Sequence, residues 1–239
     1  VFSRFLKTEK LWRIKINSFS QDTSTLVVYP AVVHSVAEVE ELSERLCRAA
    51  YASYAPQKSE EHLSFALLLD LRESKRKTQG EDAVLLHAAE NAIARLNEKH
   101  GNFFYLFTRD RTRSSDGVFR GWEKKRGAIL SLVAFLRGRE SELRPLVGDA
   151  KRLLGTRYVL TLDADTVLTP RAVHELVGVM AHPLNSPVLS YRNGAVRVEL
   201  LDANGNVIGA TETESAVASW AINTDIVYMH SQGLTVRSH

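Results

Sequence analysis

A short acidic loop between an apolar strand and a helix start constrains the fold of this chain more than any other feature. Residues 158–162 (Tyr-Val-Leu-Thr-Leu) are apolar and β-prone, which is typical of a strand buried on both faces of a parallel sheet. Asp163 and Asp165 follow directly, and Thr169-Pro170 predicts the cap and first position of the next helix. Because open α/β sheets bind ligands beyond the carboxyl ends of their strands, this loop predicts a binding site.

The two aspartates predict a metal site. Asp163 and Asp165 are separated by one residue and can reach a single Mg²⁺ or Mn²⁺ ion. Such an ion prefers oxygen ligands and keeps positions open for phosphate oxygens. The alternative is that the two side chains stabilise a turn or cap a helix, which is the ordinary role of a loop aspartate. The strand before the loop and the helix after it favour the metal and a phosphorylated ligand.

Three earlier apolar runs predict further strands, at residues 25–33, 65–70 and 103–107. Helical patterns separate them: one starts at the capping box Ser35 to Glu38, and one covers residues 81–99. We also predict a helical stretch at residues 140–154 and an edge strand from the alternation of Trp12, Ile14 and Ile16. This alternation of strands and helices predicts an α/β fold with an open, mostly parallel, Rossmann-like sheet.

Past Pro187 the pattern changes to short strands with turn signals. Residues 188–189, 196–201 and 207–208 predict strands, and Asn193-Gly194 and Asn204-Gly205 predict turns. We therefore divide the chain into an N-terminal extension (1–24), an α/β domain that carries the predicted binding site (25–187) and a β-rich C-terminal segment (188–239).

Composition narrows the class of protein. A net charge of +3 is too small to indicate nucleic-acid binding. Cys47 is the single cysteine, which excludes an internal disulfide and a Cys-rich zinc site. No apolar run is long enough to span a bilayer, and both ends, Val1 and Ser238-His239, suggest a fragment of a larger protein or a processed chain.

Other candidate ligands lie near strand ends and in a basic run. Pro30 and Asp70 close two of the predicted strands, and Asp70 is as readily a turn or capping residue as a ligand of a nucleotide base. The basic run consists of Lys124, Lys125 and Arg126, which can balance a diphosphate from a helix start, and Gly127 would let the backbone come close. Taken by itself, such a run is more often a solvated basic face.

Two more groups of side chains receive ordinary structural roles. We interpret the basic residues after the third strand as surface charges: Arg109, Arg111 and Arg113. His182, before a proline at a helix end, is interpreted as a C-cap partner, with substrate contact as the second possibility.

In this order, several segments resemble the glycosyltransferase domain of cyclic β-1,2-glucan synthases, which are very large enzymes of the bacterial inner membrane. The resemblance covers about residues 26–187. Its most specific blocks are Gly121-Trp-Glu-Lys-Lys-Arg-Gly127, Arg157-Tyr-Val-Leu-Thr-Leu-Asp-Ala-Asp-Thr166 and Met180-Ala-His-Pro-Leu-Asn185.

The resemblance implies a glycosyltransferase A-type fold and transfer of glucose from UDP-glucose to a growing β-1,2-glucan acceptor with inversion and a divalent metal. By motif, Asp163 and Asp165 would hold the metal and diphosphate, Asp70 would lie by the uracil, and residues 124–127 by the phosphates. It further implies the remainder of a membrane synthase as partner and a location at the cytoplasmic face, with this chain itself soluble.

The catalytic base is not identified, and other functions stay open. The family's acceptor-side residues have no counterpart after Pro187; the carboxylates there are Asp202, Glu212, Glu214 and Asp225. We therefore expect the isolated chain to transfer glucose poorly or not at all. The alternatives are a haloacid-dehalogenase-like phosphatase that uses Asp163 and Asp165, and a non-catalytic sugar-nucleotide-binding module.

Overall fold

The computed structural model describes residues 11–55, 60–101 and 103–185, and the backbone of short strands between Val188 and Met229. The helices are α1 Val36–Ala52, α2 Gly80–His100, α3 Lys124–Leu136 and α4 Ala172–Met180. The strands are β1 Thr25–Val33, β2 Leu63–Leu71, β3 Phe104–Arg109, β4 Thr112–Arg113, β5 Phe119–Arg120, β6 Leu143–Val147, β7 Tyr158–Thr161, β8 Val188–Arg192, β9 Ala195–Leu201, β10 Val207–Thr213, β11 Trp220–Ile222 and β12 Val227–Met229.

The centre of the fold is a five-stranded sheet in the order β6-β3-β2-β1-β7. Strands β1, β2, β3 and β7 are parallel, and β6 runs antiparallel to β3. In register, Thr25 of β1 lies opposite Leu63 of β2 on one side and Tyr158 of β7 on the other. The predicted α/β fold is confirmed, and so is the prediction that the four apolar strands are neighbours in one sheet.

Helices cover both faces of this sheet, because side chains alternate between the faces along each strand. Val27 and Tyr29 of β1 belong to the core that includes side chains of α1, α2 and α4. Leu26 and Val28 belong to the core that α3 covers with Ala128, Leu132 and Leu136. Burial on both faces explains why these strands are continuous apolar runs.

The predicted N-cap of α1 at Ser35 is confirmed, but the second bond of the capping box goes to the amide before the cap. The Ser35 hydroxyl accepts a hydrogen bond from the Glu38 amide at 3.2 Å, and the Glu38 carboxylate accepts one from the His34 amide at 2.8 Å. The second predicted helix is confirmed as α2.

The helix predicted at residues 140–154 is wrong. The structure has β6 there, followed by a 3-10 helix at Ala150–Leu153. Pro145 within β6 explains the difference: proline has no amide hydrogen to donate within a helix, whereas a strand that pairs on one side accommodates it.

The edge strand predicted from Trp12, Ile14 and Ile16 is also wrong, because this segment pairs with α4 rather than with the sheet. The Ile14 amide donates to the Gly178 carbonyl at 3.1 Å, and the Asn185 side chain donates to the Trp12 carbonyl at 2.6 Å. A Cβ on Gly178 would overlap the Ile14 carbonyl, so this close approach requires glycine.

The predicted start of the last helix is two residues too early. Helix α4 begins at Ala172, after Arg171 with a left-handed φ of 66°. Arg171 is held in place by tertiary bonds, since its amide donates to the Ala52 carbonyl at 3.0 Å and its guanidinium to the Ile16 carbonyl at 3.1 Å. Those bonds override the local preference of Thr169-Pro170.

The short C-terminal strands are present as predicted. Strands β8, β9 and β10 form an antiparallel sheet with β9 in the middle, and β11 pairs antiparallel with β12. The predicted turns at residues 193–194 and 204–205 lie outside the described residues, as do Asp202, Glu214 and Asp225. None of the helices in the described ranges combines the length and the apolar character needed to cross a membrane.

Candidate functional site

The acidic loop leaves the sheet at the carboxyl end of β7 and is fixed by backbone bonds. The Leu162 amide donates to the Val28 carbonyl at 2.9 Å, which extends the pairing of β7 with β1 by one residue. The Thr166 amide then donates to the Asp163 carbonyl at 2.9 Å and closes a turn. Asp163 and Asp165 are both exposed on this turn, so their carboxylates are accessible to a ligand.

Lys125 contacts the acidic loop directly. Its ammonium forms an ion pair with the Asp163 carboxylate, and the two side chains are 40% and 51% exposed. The sequence predicted both residues as ligands of one metal–diphosphate group, and the structure brings them together from 38 residues apart. The pair is accessible to solvent, so its charges can be re-partnered when a ligand arrives.

Lys124 and Arg126, on either side of Lys125, make no such contact with the acidic loop among the described residues. Lys124 is exposed and has a left-handed φ of 49°. The Arg126 guanidinium donates to the Glu123 carboxylate at 2.7 Å. Both remain within the same short basic segment, next to the residue that reaches Asp163.

Two residues that the sequence analysis missed lie beside the acidic loop: Tyr29 and Arg45. The buried Tyr29 hydroxyl donates to the Thr166 carbonyl at 3.1 Å and so supports the turn. Burial raises the pKa of Tyr29 to about 12, although Arg45 and Arg48 oppose the shift, so the hydroxyl keeps its proton at neutral pH. Only the position of Tyr29, next to Pro30 in a strand that borders β7, could have indicated this role.

Arg45 brings a second cation to the aspartates. A hydrogen bond to Glu41 is the main cause of the raised pKa of Arg45, and the negative charge of Asp165 raises it further. The Arg45–Glu41 distance is 2.6 Å. Glu41 thus holds the Arg45 side chain on α1.

Asp70 and Arg109 form a buried ion pair at the ends of β2 and β3. Arg109 is 2% exposed, and its Nε and Nη2 atoms each donate to one Asp70 oxygen at 2.7 Å. The same guanidinium donates to the carbonyls of Trp122 at 2.7 Å and Lys124 at 2.5 Å. We call this set, Arg109 with Asp70 and the two carbonyls, the Arg109 clamp.

The Arg109 clamp corrects two interpretations, those of Arg109 and Gly127. Arg109 is a core residue rather than a surface charge, and its guanidinium binds both Asp70 oxygens. Glycines accommodate the clamp: a Cβ on Gly121 would lie 2.6 Å from Asp70 Oδ2, and one on Gly127 would overlap the Trp122 carbonyl. Gly127 thus permits close packing inside the protein, where we had predicted close approach to a ligand.

Arg111 is likewise buried, at 3% exposure, whereas Arg113 is exposed as predicted. Arg111 pairs with Asp82 at 2.6 and 2.8 Å and donates to the carbonyls of Arg72 and Lys77. Its hydrogen bonds hold the pKa of Asp82 below the usual range. Arg111 therefore fixes the loop between β2 and α2.

Pro30 and His182 do not face the acidic turn through any contact that we find in the described residues. Pro30 is a buried interior residue of β1 opposite Leu68, not its last residue, and it lies past Val28, where the pairing with β7 ends. His182 stays at the end of α4, where Nδ1 accepts from the Leu184 amide at 3.2 Å and the ring stacks on Trp12.

The donor atoms of the acidic turn suit a hard cation that arrives with its own ligands. Among the described residues, no group of three or more His, Cys, Asp or Glu side chains is arranged to hold a metal ion. Asp163 and Asp165 supply carboxylate oxygens, which Mg²⁺ and Mn²⁺ accept, and phosphate oxygens and water would complete the coordination. The residues fit a metal–diphosphate complex better than a bare ion.

Comparison with known proteins gives one informative relationship. No protein-family model matches the chain. The chain is 34% identical over 202 residues to the cyclic beta-(1,2)-glucan synthase NdvB of Rhizobium meliloti (strain 1021), a match that covers 82% of this chain and 7% of that protein. This chain is therefore homologous to a small segment of a cyclic β-(1,2)-glucan synthase.

Proposed function

We propose that this chain supplies the donor site of a larger synthase that transfers glucose from UDP-glucose to a growing β-1,2-glucan, with inversion. The observation that carries the proposal is the contact of Lys125 with Asp163 at the carboxyl edge of the sheet. The chain that contains this contact is homologous to part of a cyclic β-(1,2)-glucan synthase. In the full-length protein, we propose that the site faces the cytoplasm beside the inner membrane.

The residues of the acidic turn would hold the diphosphate end of the donor. Asp163 and Asp165 would bind Mg²⁺ or Mn²⁺, and the metal would neutralise charge on the departing diphosphate. Lys125 would donate to a phosphate oxygen, with Lys124 and Arg126 adding positive charge nearby. Tyr29 and Arg45 would keep the turn in place.

The base end of the donor would lie toward Asp70 and Pro30. Both Asp70 oxygens accept from Arg109, so we assign to Asp70 the fixing of this strand end beside the uracil. Pro30 would form part of the surface on which the base lies. Inversion requires one general base near the acceptor, and we assign that role to no residue of this chain.

Calorimetry with UDP, with and without Mn²⁺, tests the donor site. We expect UDP to bind at least tenfold more tightly with Mn²⁺, because the metal bridges carboxylates and phosphates. Asp163→Asn and Asp165→Asn should remove this dependence. Asp22→Asn, an exposed change before the amino end of β1, is the matched control and should leave it intact. Equal UDP affinity with and without Mn²⁺ in the unchanged chain would reject the metal-dependent site.

Activity assays distinguish the two alternative functions from the proposed one. Release of phosphate from an aryl phosphate, dependent on Asp163, would favour the phosphatase. UDP binding with no glucose transfer in the full-length synthase would favour a binding module. Glucan formation that is lost in the full-length protein with Asp163→Asn would support the proposed transferase.

A further inference from the structure

We propose that Lys125 is a resident counter-ion of Asp163 that a divalent cation displaces only when a diphosphate is present to receive the lysine. The site would then take metal and diphosphate together, and the free metal only weakly. This inference rests on the proposed function and deepens it, because it describes how the charges at the same site change partners when the ligands bind.

The first argument is competition for one carboxylate. The Lys125 ammonium contacts Asp163 Oδ1, on a carboxylate that a metal ion held by this turn would also use. Two cations on one carboxylate repel each other, which favours displacement of the ammonium by the metal. Without another anion in reach, the displaced lysine loses its partner, and metal binding is weakened by that loss.

The second argument is that the backbone beneath Lys125 is fixed while its side chain is partly exposed. The Arg109 clamp binds the carbonyls of Trp122 and Lys124, directly before Lys125. Gly127 packs against the Arg109 guanidinium, because a Cβ added at Gly127 would lie only 2.9 Å from Arg109 Nη1. The 40% exposed side chain can therefore swing from a carboxylate to a phosphate oxygen about an anchored Cα.

The third argument is the charge balance of the turn. Asp163 is paired with Lys125, so one of the two carboxylates of the turn already has a cationic partner. The turn therefore attracts a free divalent ion poorly. A diphosphate brings the missing negative charge, so metal and nucleotide should strengthen each other's binding by the same factor.

Mn²⁺ titration without nucleotide tests this exchange in the unchanged chain, in Lys125→Met and in the matched control Lys99→Met. Lys99 is an exposed lysine at the end of α2, just before the amino end of β3. We expect Lys125→Met to bind Mn²⁺ about tenfold more tightly and to bind UDP in saturating Mn²⁺ about tenfold more weakly. Lys99→Met should change neither affinity.

Adding Asp163→Asn to Lys125→Met should abolish the gain in Mn²⁺ affinity, which assigns the gain to this turn. Mn²⁺ affinity that is unchanged or weaker in Lys125→Met overturns the exchange, even if UDP binding is metal-dependent as proposed. Conversely, tighter Mn²⁺ binding in Lys125→Met supports the exchange, even if UDP fails to bind and the donor-site proposal falls. Thermal unfolding of each variant shows that the fold is retained.

Discussion

Single buried side chains set the geometry around the candidate site. Arg109 contacts no exposed carboxylate, yet its hydrogen bonds join the ends of β2 and β3 to the segment that carries Lys125. A guanidinium suits this role because its rigid fork can serve two carboxylate oxygens and further carbonyls at once. The position of Lys125 therefore depends on a charge that is buried within the protein.

Asp70→Asn is expected to lower the free energy of unfolding by about 3–5 kcal/mol, because it leaves Arg109 buried beside a neutral partner. Urea unfolding measures the loss. Asp110→Asn is the control: Asp110 forms an exposed pair with Arg144 at 3.7 Å, and its loss should cost at most about 1 kcal/mol. Similar losses in the two variants would show that the clamp adds no stability.

The burial of Arg109 and Arg111 was not visible in the sequence. A cluster of arginines after a strand is typical of a solvated loop, and nothing local indicates that each has a buried acidic partner. Asp70 and Asp82 lie 39 and 29 residues away along the chain. Two glycines, Gly121 and Gly127, were the local signal of tight packing, but glycine serves a ligand or the protein's own backbone equally well.

Among the elements, those defined by continuous apolar runs were predicted and those defined by tertiary contacts were not. Strands β1, β2, β3 and β7 follow from burial on both faces, and α1 follows from its cap. Strand β6 and the start of α4 depend on partners distant in sequence, the edge of β3 and the Ala52 carbonyl. Local preference cannot report such partners.

Gly121→Ala tests how tightly the segment before α3 packs. The added methyl would meet the buried Asp70–Arg109 pair, so we expect the free energy of unfolding to fall by about 1–3 kcal/mol. Gly80→Ala is the matched control, because a Cβ at the start of α2 meets nothing within 4 Å. Alanine there should be neutral or stabilise by up to about 1 kcal/mol. Equal effects in chemical unfolding would contradict the packing argument.

At the scale of the whole molecule, the chain corresponds to a small segment of its relative. We expect the chain alone to form no sustained β-1,2-glucan from UDP-glucose, because transfer needs donor, metal, acceptor and base held in one geometry. Analysis of the glucan products, together with a measurement of UDP release in the absence of acceptor, tests this expectation. Sustained elongation would show that the base lies within these residues, and Asp202→Asn and Asp225→Asn would then locate it.

The bond between Trp12 and Asn185 has a consequence for how a synthase could carry this unit. The Asn185 side chain joins the far end of the α/β region to the segment that precedes its first strand. The polypeptide therefore enters and leaves the region at adjacent points. Units with adjacent entry and exit tolerate insertion into a host chain, since the host need not stretch to accommodate them.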